Sequence, residues 1–311
     1  MNIPVYLFMG FLESGKTKFI SETLEDPRFN SGEETLLLVF EDGCETYDLN
    51  QYENIHVEII GEQSDLCAET LGAMLKNCSA QRVIIEYNGM WNLETLFSNM
   101  PEGWEIAQTF LLCDAQTFIA YNQNMCELVV DKLRYSEIVA FNRCENPGIR
   151  EELHKIVRAI SRRTDILYED FDGEVDIDDI EDPLPYDMSA HVIEIPDDGF
   201  AIWYRDVSEE MEKYEGKTVK IKGMSVRHED LPGDIIIFGR HVMICCAEDI
   251  SFAGMVCIFE GAHKYKTGQW LEITASIAIE NHPAYGEPGP VLKTVSVHRA
   301  DKPESDVATF Y

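Results

Sequence analysis

The first half of the chain alternates short, nearly unbroken apolar runs with longer stretches whose apolar positions recur at helical spacing. The runs Pro4–Met9, Thr35–Phe40, Ile55–Ile60, Arg82–Glu86, Thr109–Cys113, Ile138–Phe141 and Asp165–Tyr168 lack the in–out alternation of a half-exposed strand. Continuous apolar character marks strands covered on both faces. Helices are expected between them over Thr17–Leu24, Ser64–Lys76, Asn92–Asn99, Asn122–Leu133 and Ile149–Ser161. Repeated strand–helix units join parallel strands by crossovers, so the expected fold is a mostly parallel α/β sheet with helices on both faces.

The pattern then changes. Asp165–Asp187, DILYEDFDGEVDIDDIEDPLPYD, is dense in carboxylates and closes with two prolines. It reads as a solvated acidic linker, about 165–187, with a cation-collecting segment as the alternative. Beyond it lie Lys217–Met224, Ile235–Ile244, Gly254–Phe259, Trp270–Ile279 and Val291–His298, separated by turn clusters such as LPGD and NHPAYGEPGP. Short strands at such spacing predict a small all-β barrel-like domain of the oligonucleotide/oligosaccharide-binding (OB) type. The expected domains are therefore residues 1–187 and 188–311.

Charge narrows the partners. The chain carries 57 acidic and 25 basic residues, a net of −32, and such a surface repels nucleic acid and anionic lipid. No apolar run approaches the roughly 18 residues that a membrane span requires. Nine cysteines without regular spacing read as reduced thiols, which places the expected protein in the cytoplasm.

The chemistry begins at GFLESGKTKF. Gly10, Gly15, Lys16 and Thr17 fit the pattern G-x4-G-K-S/T, between a predicted buried strand and a predicted helix. Glycines let the backbone curl so that its N–H groups face a phosphate. Gly10, Glu13, Ser14, Gly15, Lys16, Thr17 and Lys18 form the expected phosphate-side set, with Lys16 on the β/γ oxygens and the Thr17 hydroxyl on Mg²⁺. Pointed inward, Glu13 would oppose binding by several kcal/mol, on the order expected for close like charges, so it is expected to face outward. RVIIEYNGM puts Glu86 at a strand tip with Gly89 three residues on, positioned to sense a γ-phosphate or orient water. Glu41 and Asp42 end another strand within reach of Mg²⁺ or its waters. The catalytic set is thus Lys16, Glu86 and Gly89, and the Mg²⁺ set Thr17, Glu41 and Asp42. A solvated strand-end carboxylate is the plainer reading of each acid.

Up to about Asp187, these residues resemble the CobW-type metallochaperone and metal-homeostasis GTPases. The likeness rests on GFLxSGKT at Gly10–Thr17, the acidic strand end at Glu41, E-x-x-G at Glu86–Gly89 and Asp114 after LLC. SEIVAFN before Asn142 and SRRTDILYEDFDGEVD extend it. It implies Mg²⁺-dependent binding and slow hydrolysis of GTP, coupled to metal delivery. Two departures stand out. The family's Cys-x-Cys-Cys cluster is replaced by IIGEQSDLCAETL, which leaves only Cys67, too few ligands for a zinc or cobalt cage. The family's guanine reader, Asn-Lys-x-Asp, is here Asn142-Arg143-Cys144-Glu145, one methylene longer at Glu145. Asn142 and Glu145 are the expected base contacts, with GTP the implied nucleotide and ATP the alternative.

From about Tyr214 onward the chain resembles a YcgQ-type domain of unknown function, found in the soluble part of permease partner proteins. The matching pieces are YEGKTVKIKGMSVRHEDLPGD, GRHVMICCAEDISFAG and GQWLEITASI followed by GPVLK. Within it, His241, Cys245 and Cys246, joined by Asp249 or His228, are candidate ligands for zinc or another soft metal. A strained redox pair or plain core residues are the alternatives for the two cysteines. Cys257 reads as a third ligand or as core, and His263 and His282 as loop residues. The whole suggests a nucleotide switch linked to metal homeostasis or transport, partnered by a permease or a metal-requiring protein. The competing readings are a nucleotide-gated binding module with little turnover, and a metal chaperone or sensor built on the cysteine pair.

Overall fold

Strand β1 (Ile3–Met9) runs up the middle of a sheet whose next strands are all parallel to it. The computed structural model describes residues 2–41, 43–48, 52–228, 231–244 and 247–310. The chain divides into two units, residues 1–180 and 181–311. The first unit contains, after β1, α1 (Lys16–Glu25), β2 (Thr35–Val39), β3 (Ile55–Ile59), α2 (Ala68–Cys78), β4 (Arg82–Glu86) and α3 (Leu93–Asn99). It continues with β5 (Trp104–Asp114), α4 (Phe118–Asn124), α5 (Cys126–Arg134), β6 (Ile138–Asn142), α6 (Pro147–Ile160), β7 (Asp165–Glu169) and β8 (Val175–Ile177). The strand order is β3-β2-β4-β1-β5-β6-β7-β8, parallel throughout except for the terminal β7–β8 hairpin.

Successive side chains of a strand face opposite ways, and both faces here are apolar. Phe8, Leu37, Ile84 and Leu112 pack with Ile20 and Leu24 of α1 on one face. Leu7, Leu38, Ile85 and Leu111 pack on the other with side chains from α2 through α6. This double burial explains the unbroken apolar runs in the sequence.

Two expectations need correction. The helix expected over Asn122–Leu133 is two helices, because Met125 leaves the helical region at φ −132°, ψ 41°. The acidic linker is folded over much of its length: 165–169 and 175–177 are strands of the sheet. Asp178 lies almost wholly buried, taking hydrogen bonds from Tyr168 OH at 3.0 Å and Arg158 at 3.3 Å, and pairing with His154 Nδ1 at 2.8 Å. A carboxylate counted as solvated is thus a staple between this segment and α6.

The second unit comprises β9 (Ile193–Glu194), α7 (Phe200–Glu209), β10 (Thr218–Val226), β11 (Ile235–Met243), β12 (Ser251–Ile258), β13 (Trp270–Asn281), β14 (Pro288–Arg299) and β15 (Val307–Thr309). They form one mixed sheet. Its pairings return on themselves: β10 bonds β11, β11 bonds β12, β12 bonds β14, β14 bonds β13, and β13 bonds β10. The β12–β14 pair is parallel and the other four are antiparallel. Strict alternation along β10 and β13 turns Val219, Ile221, Leu271, Ile273 and Ile277 into the interior. No helix among the described residues is long and apolar enough to cross a membrane.

Candidate functional site

The C-terminal ends of parallel strands, where the crossovers begin, collect the polar groups of an open α/β sheet. The loop from β1 to α1 follows that rule. Gly15 caps α1 at φ 92°, a left-handed conformation that glycine adopts without Cβ strain. A Cβ there would also sit 2.7 Å from Asn142 Nδ2, which reaches over from the end of β6 and donates to Ser14 O at 2.7 Å. Asn142 therefore clamps the loop from the outside. Its Oδ1 and the Ser14 hydroxyl are buried without a partner among the described residues.

Lys16 is 3% exposed, folded back under the loop. Its ammonium donates to Gly10 O at 3.0 Å, to Phe11 O at 2.9 Å and to the Glu41 carboxylate. Strand adjacency decides the carboxylate geometry. β4 lies directly beside β1, so Glu86 at its end, rather than Glu41, receives the Thr17 hydroxyl, at 2.8 Å. β2 lies one strand further out, and Glu41 reaches back from beyond it to Lys16, with its second oxygen 3.4 Å from Gly89 N. Gly89 is required sterically: a Cβ would come within 2.6 Å of Gly10 O and 2.7 Å of Phe11 Cα. The turn after β4 thus rests directly on the β1–α1 loop.

Burial pushes the Glu86 carboxyl above its ordinary range, opposed by hydrogen bonds from Tyr47 and Thr17 and the nearby Lys16 charge. Tyr47 OH donates to Glu86, and burial together with that carboxylate holds the phenol protonated. Tyr47 thereby ties the segment after β2 to the end of β4, a contact that no local period or motif reveals.

A cavity of about 300 Å³ opens over these groups. Glu13, Glu41, Glu45 and Glu86 border it together with the cations Lys16 and Arg143. Glu13 is exposed, as expected of its side chain, yet still borders the cavity. Its backbone is left-handed at φ 63°, and its carboxylate accepts from Cys44 Sγ at 3.1 Å. Arg143, also left-handed at φ 56°, pairs with Asp114 at the end of β5 and donates to Glu13 O at 3.4 Å. Lys18 stands on the outer flank of α1, 3.5 Å from Glu169. Clustered carboxylates of this kind repel a polyphosphate, and an added divalent cation offsets that repulsion.

Residues 176–307 match the family model described as the DUF1980 C-terminal domain. The chain is similar to hydrogenase maturation factor HypB from Archaeoglobus fulgidus, at 17% identity and TM-score 0.39, over 55% of this chain and 82% of that one. It is also similar to the Zn(II)-bound YjiA GTPase from E. coli, at 16% identity and TM-score 0.43, over 82% of this chain and 89% of that one. A Zn(II)-bound triple mutant of YjiA aligns over the same shares at 17% identity and TM-score 0.43. No curated protein matches the chain.

Glu145 is exposed and borders none of the cavities around the loop. Asp42, Cys245 and Cys246 fall outside the described residues. His241 sits in β11 of the second unit, its ring edge-on to Phe252. Among the described residues no group of three or more His, Cys, Asp or Glu is arranged to hold a metal ion. Cys257 is core: it is fully buried, bonded to Thr294 Oγ1 at 3.0 Å, and burial pushes its thiol up to about 12. Cys67 precedes α2 with its sulfur 3.0 Å from Thr70 Oγ1, whose hydrogen bonds lower its pKa.

Proposed function

We propose that the first unit binds a nucleoside triphosphate, GTP in preference to ATP, and hydrolyses it slowly as a switch. One observation carries this: Lys16, dry and fixed by two loop carbonyls, faces a cavity with Glu41 as its exchangeable partner. A β/γ-phosphate supplies the same charge as Glu41 and several more acceptor oxygens, so it competes for the ammonium on favourable terms. Release of Glu41 frees Gly89 N to donate to the γ-phosphate and lets Glu41 and Tyr47 rearrange. The Glu86 carboxylate then holds Thr17 or orients the attacking water. The hydroxyl and carboxylate oxygens of Thr17, Glu86 and Glu41 are the hard donors that Mg²⁺ prefers. Those three residues would hold the ion, which would supply charge neutralisation for the transferred phosphate.

The second unit is read as an OB-type five-stranded barrel, the closed ring of pairings being the support, and as the effector of the switch. A role in metal homeostasis or transport, and a permease or metal-requiring partner, rest on the sequence resemblance alone. The assignment of zinc or another soft metal to His241, Cys245 and Cys246 rests on their residue types.

The test is Lys16→Ala in the full chain. Nucleotide affinity is expected to fall by about a hundredfold, the loss of a charge-assisted contact in a dry site, and Mg²⁺-dependent phosphate release to vanish. Equal, slow phosphate release by both proteins with a preserved difference in affinity would establish a binding module without turnover. Equal affinity would remove the nucleotide reading itself.

A further inference from the structure

Beside the phosphate cavity lies a second one of about 170 Å³, bordered by the ends of β6 and β7 and the outer flank of α1. The two share Gly15, Glu45 and Arg143, so they form one continuous trough across the start of α1. A ligand whose phosphates sit at Lys16 would extend its remaining portion into this second cavity. The chemistry there suits a flat, polar ring. Phe171, 55% exposed, borders it with an aromatic face open to stacking, and Arg143 borders it as well.

We propose that Glu169, and not Glu145, is the carboxylate that reads the base, and that it selects guanine. The assignment rests on the nucleotide function proposed above. Glu145 is exposed and does not border the cavity, whereas Glu169 borders it. The backbone fixes Glu169 firmly, since its carbonyl accepts from Cys144 N at 2.9 Å, tying the end of β7 to the turn after β6. The side chain keeps its freedom. Its only ion pair among the described residues is with Lys18, at 3.5 Å, with the lysine 57% and the glutamate 28% exposed. A pair so wet and long contributes little and exchanges readily for a ligand.

The other carboxylates of the cavity are less suited. Asp170 is committed to the hairpin, where one oxygen accepts from Asp172 N at 2.9 Å and from Glu174 N at 3.0 Å. Glu22 stands on the exposed helix flank, 3.7 Å from Lys18. Glu45 belongs to the loop over the phosphates. Guanine presents two adjacent donors, N1–H and its 2-amino group, to which one carboxylate offers two acceptors. Adenine has an acceptor at N1, which would face the carboxylate unfavourably.

Glu169→Gln tests this in the full-length protein, with Glu145→Gln as its companion and binding of GTP, ATP and xanthosine triphosphate as the readout. Xanthine carries an oxygen where guanine carries the amino group, so an amide matches it and a carboxylate does not. Glu169→Gln is expected to weaken GTP about tenfold or more and to strengthen xanthosine triphosphate, while Glu145→Gln changes neither. Both substitutions are isosteric, and an unchanged thermal midpoint confirms that each folds. The reverse pattern, a loss confined to Glu145→Gln, overturns the assignment. So do equal affinities of the wild type for GTP and ATP when Lys16→Ala still abolishes binding. In those cases the phosphate site stands and only the base reader falls. Absence of nucleotide binding by wild type and Lys16→Ala alike removes both.

Discussion

Lys16 in the first unit and Arg240 in the second are both nearly dry cations, 3% and 2% exposed, and each is held by two backbone carbonyls. Their surroundings separate them. Arg240 donates to Asp197 O and Ser305 O, both at 2.6 Å, and its guanidinium lies against the rings of Phe200 and Trp270. It stitches β11 to two distant segments of the same unit, with carbonyls that are part of the fold and cannot leave. Lys16 has a third partner, Glu41, on a loop, and a cavity beyond it. A buried cation becomes a site when one of its partners can be exchanged for a ligand. Otherwise it is a staple.

The sharpest way to break that distinction is Arg240→Met. Methionine fills much of the space but takes the donors away from the Asp197 and Ser305 carbonyls and the cation from between two aromatic rings, a loss of about 1–3 kcal/mol. The denaturant midpoint of the second unit should fall accordingly, while nucleotide affinity at Lys16 stays as in the wild type. A parallel fall in affinity would mean that the two cations serve one structure, and the contrast between staple and site would fail.

Lys132 of α5 is an intermediate case. It is fully buried, donates to Trp91 O at 3.3 Å and Leu128 O at 3.5 Å, and lies under the ring of Phe11. Its nearest carboxylate, Asp131, is 3.9 Å away, and burial lowers the amine to about 8. Between pH 8 and about 10.5 the folded protein has lost this proton while the unfolded chain keeps it, so stability rises with pH through that window. Relative to Lys132→Met, which lacks the proton, the wild type should gain up to about 3 kcal/mol across it. Urea midpoints of both proteins at pH 7 and pH 10.5 measure the difference, and parallel profiles would show that Lys132 is charged and compensated like Arg240.

Much of this was legible in the chain. Unbroken apolar runs gave the parallel strands because burial on both faces leaves no polar alternation to hide them. The spacing of Gly10, Gly15, Lys16 and Thr17 pointed to the β1–α1 loop, where the structure puts a left-handed glycine and a buried lysine and on which the proposed phosphate site rests. Partner choice was not legible. Whether Glu41 or Glu86 meets Thr17 depends on β4 lying next to β1, an order no local pattern encodes. Tyr47, Arg143 and Asp178 act through contacts with residues 29 or more positions away or on another element, as in Tyr47–Glu86, Arg143–Asp114 and Asp178–His154. The acidic run after Asp165 misled for the same reason: charge density suggested solvent, while tertiary contacts buried Asp178.

The smallest effect belongs to Glu13, the residue that makes the loop look unsuited to phosphate. Its left-handed backbone costs about 1–2 kcal/mol for an L-residue with a side chain, whereas glycine pays roughly 0.5–1 kcal/mol in unfolded-state entropy. Glu13→Gly should therefore change folding stability by about 1 kcal/mol or less, in the stabilising direction. It also removes one of the four carboxylates that border the cavity together with Lys16 and Arg143. The hydrogen bond from Arg143 to the Glu13 carbonyl survives the change, because it uses only backbone. Nucleotide affinity should then rise a few-fold at low salt, and the gain should shrink at high salt as the lost repulsion is screened. A loss of affinity would mean that the carboxylate serves the ligand directly, and that Glu13 belongs with Glu41 and Glu86 among the groups of the site. Isothermal titration with Mg²⁺-loaded GTP at two ionic strengths decides between them.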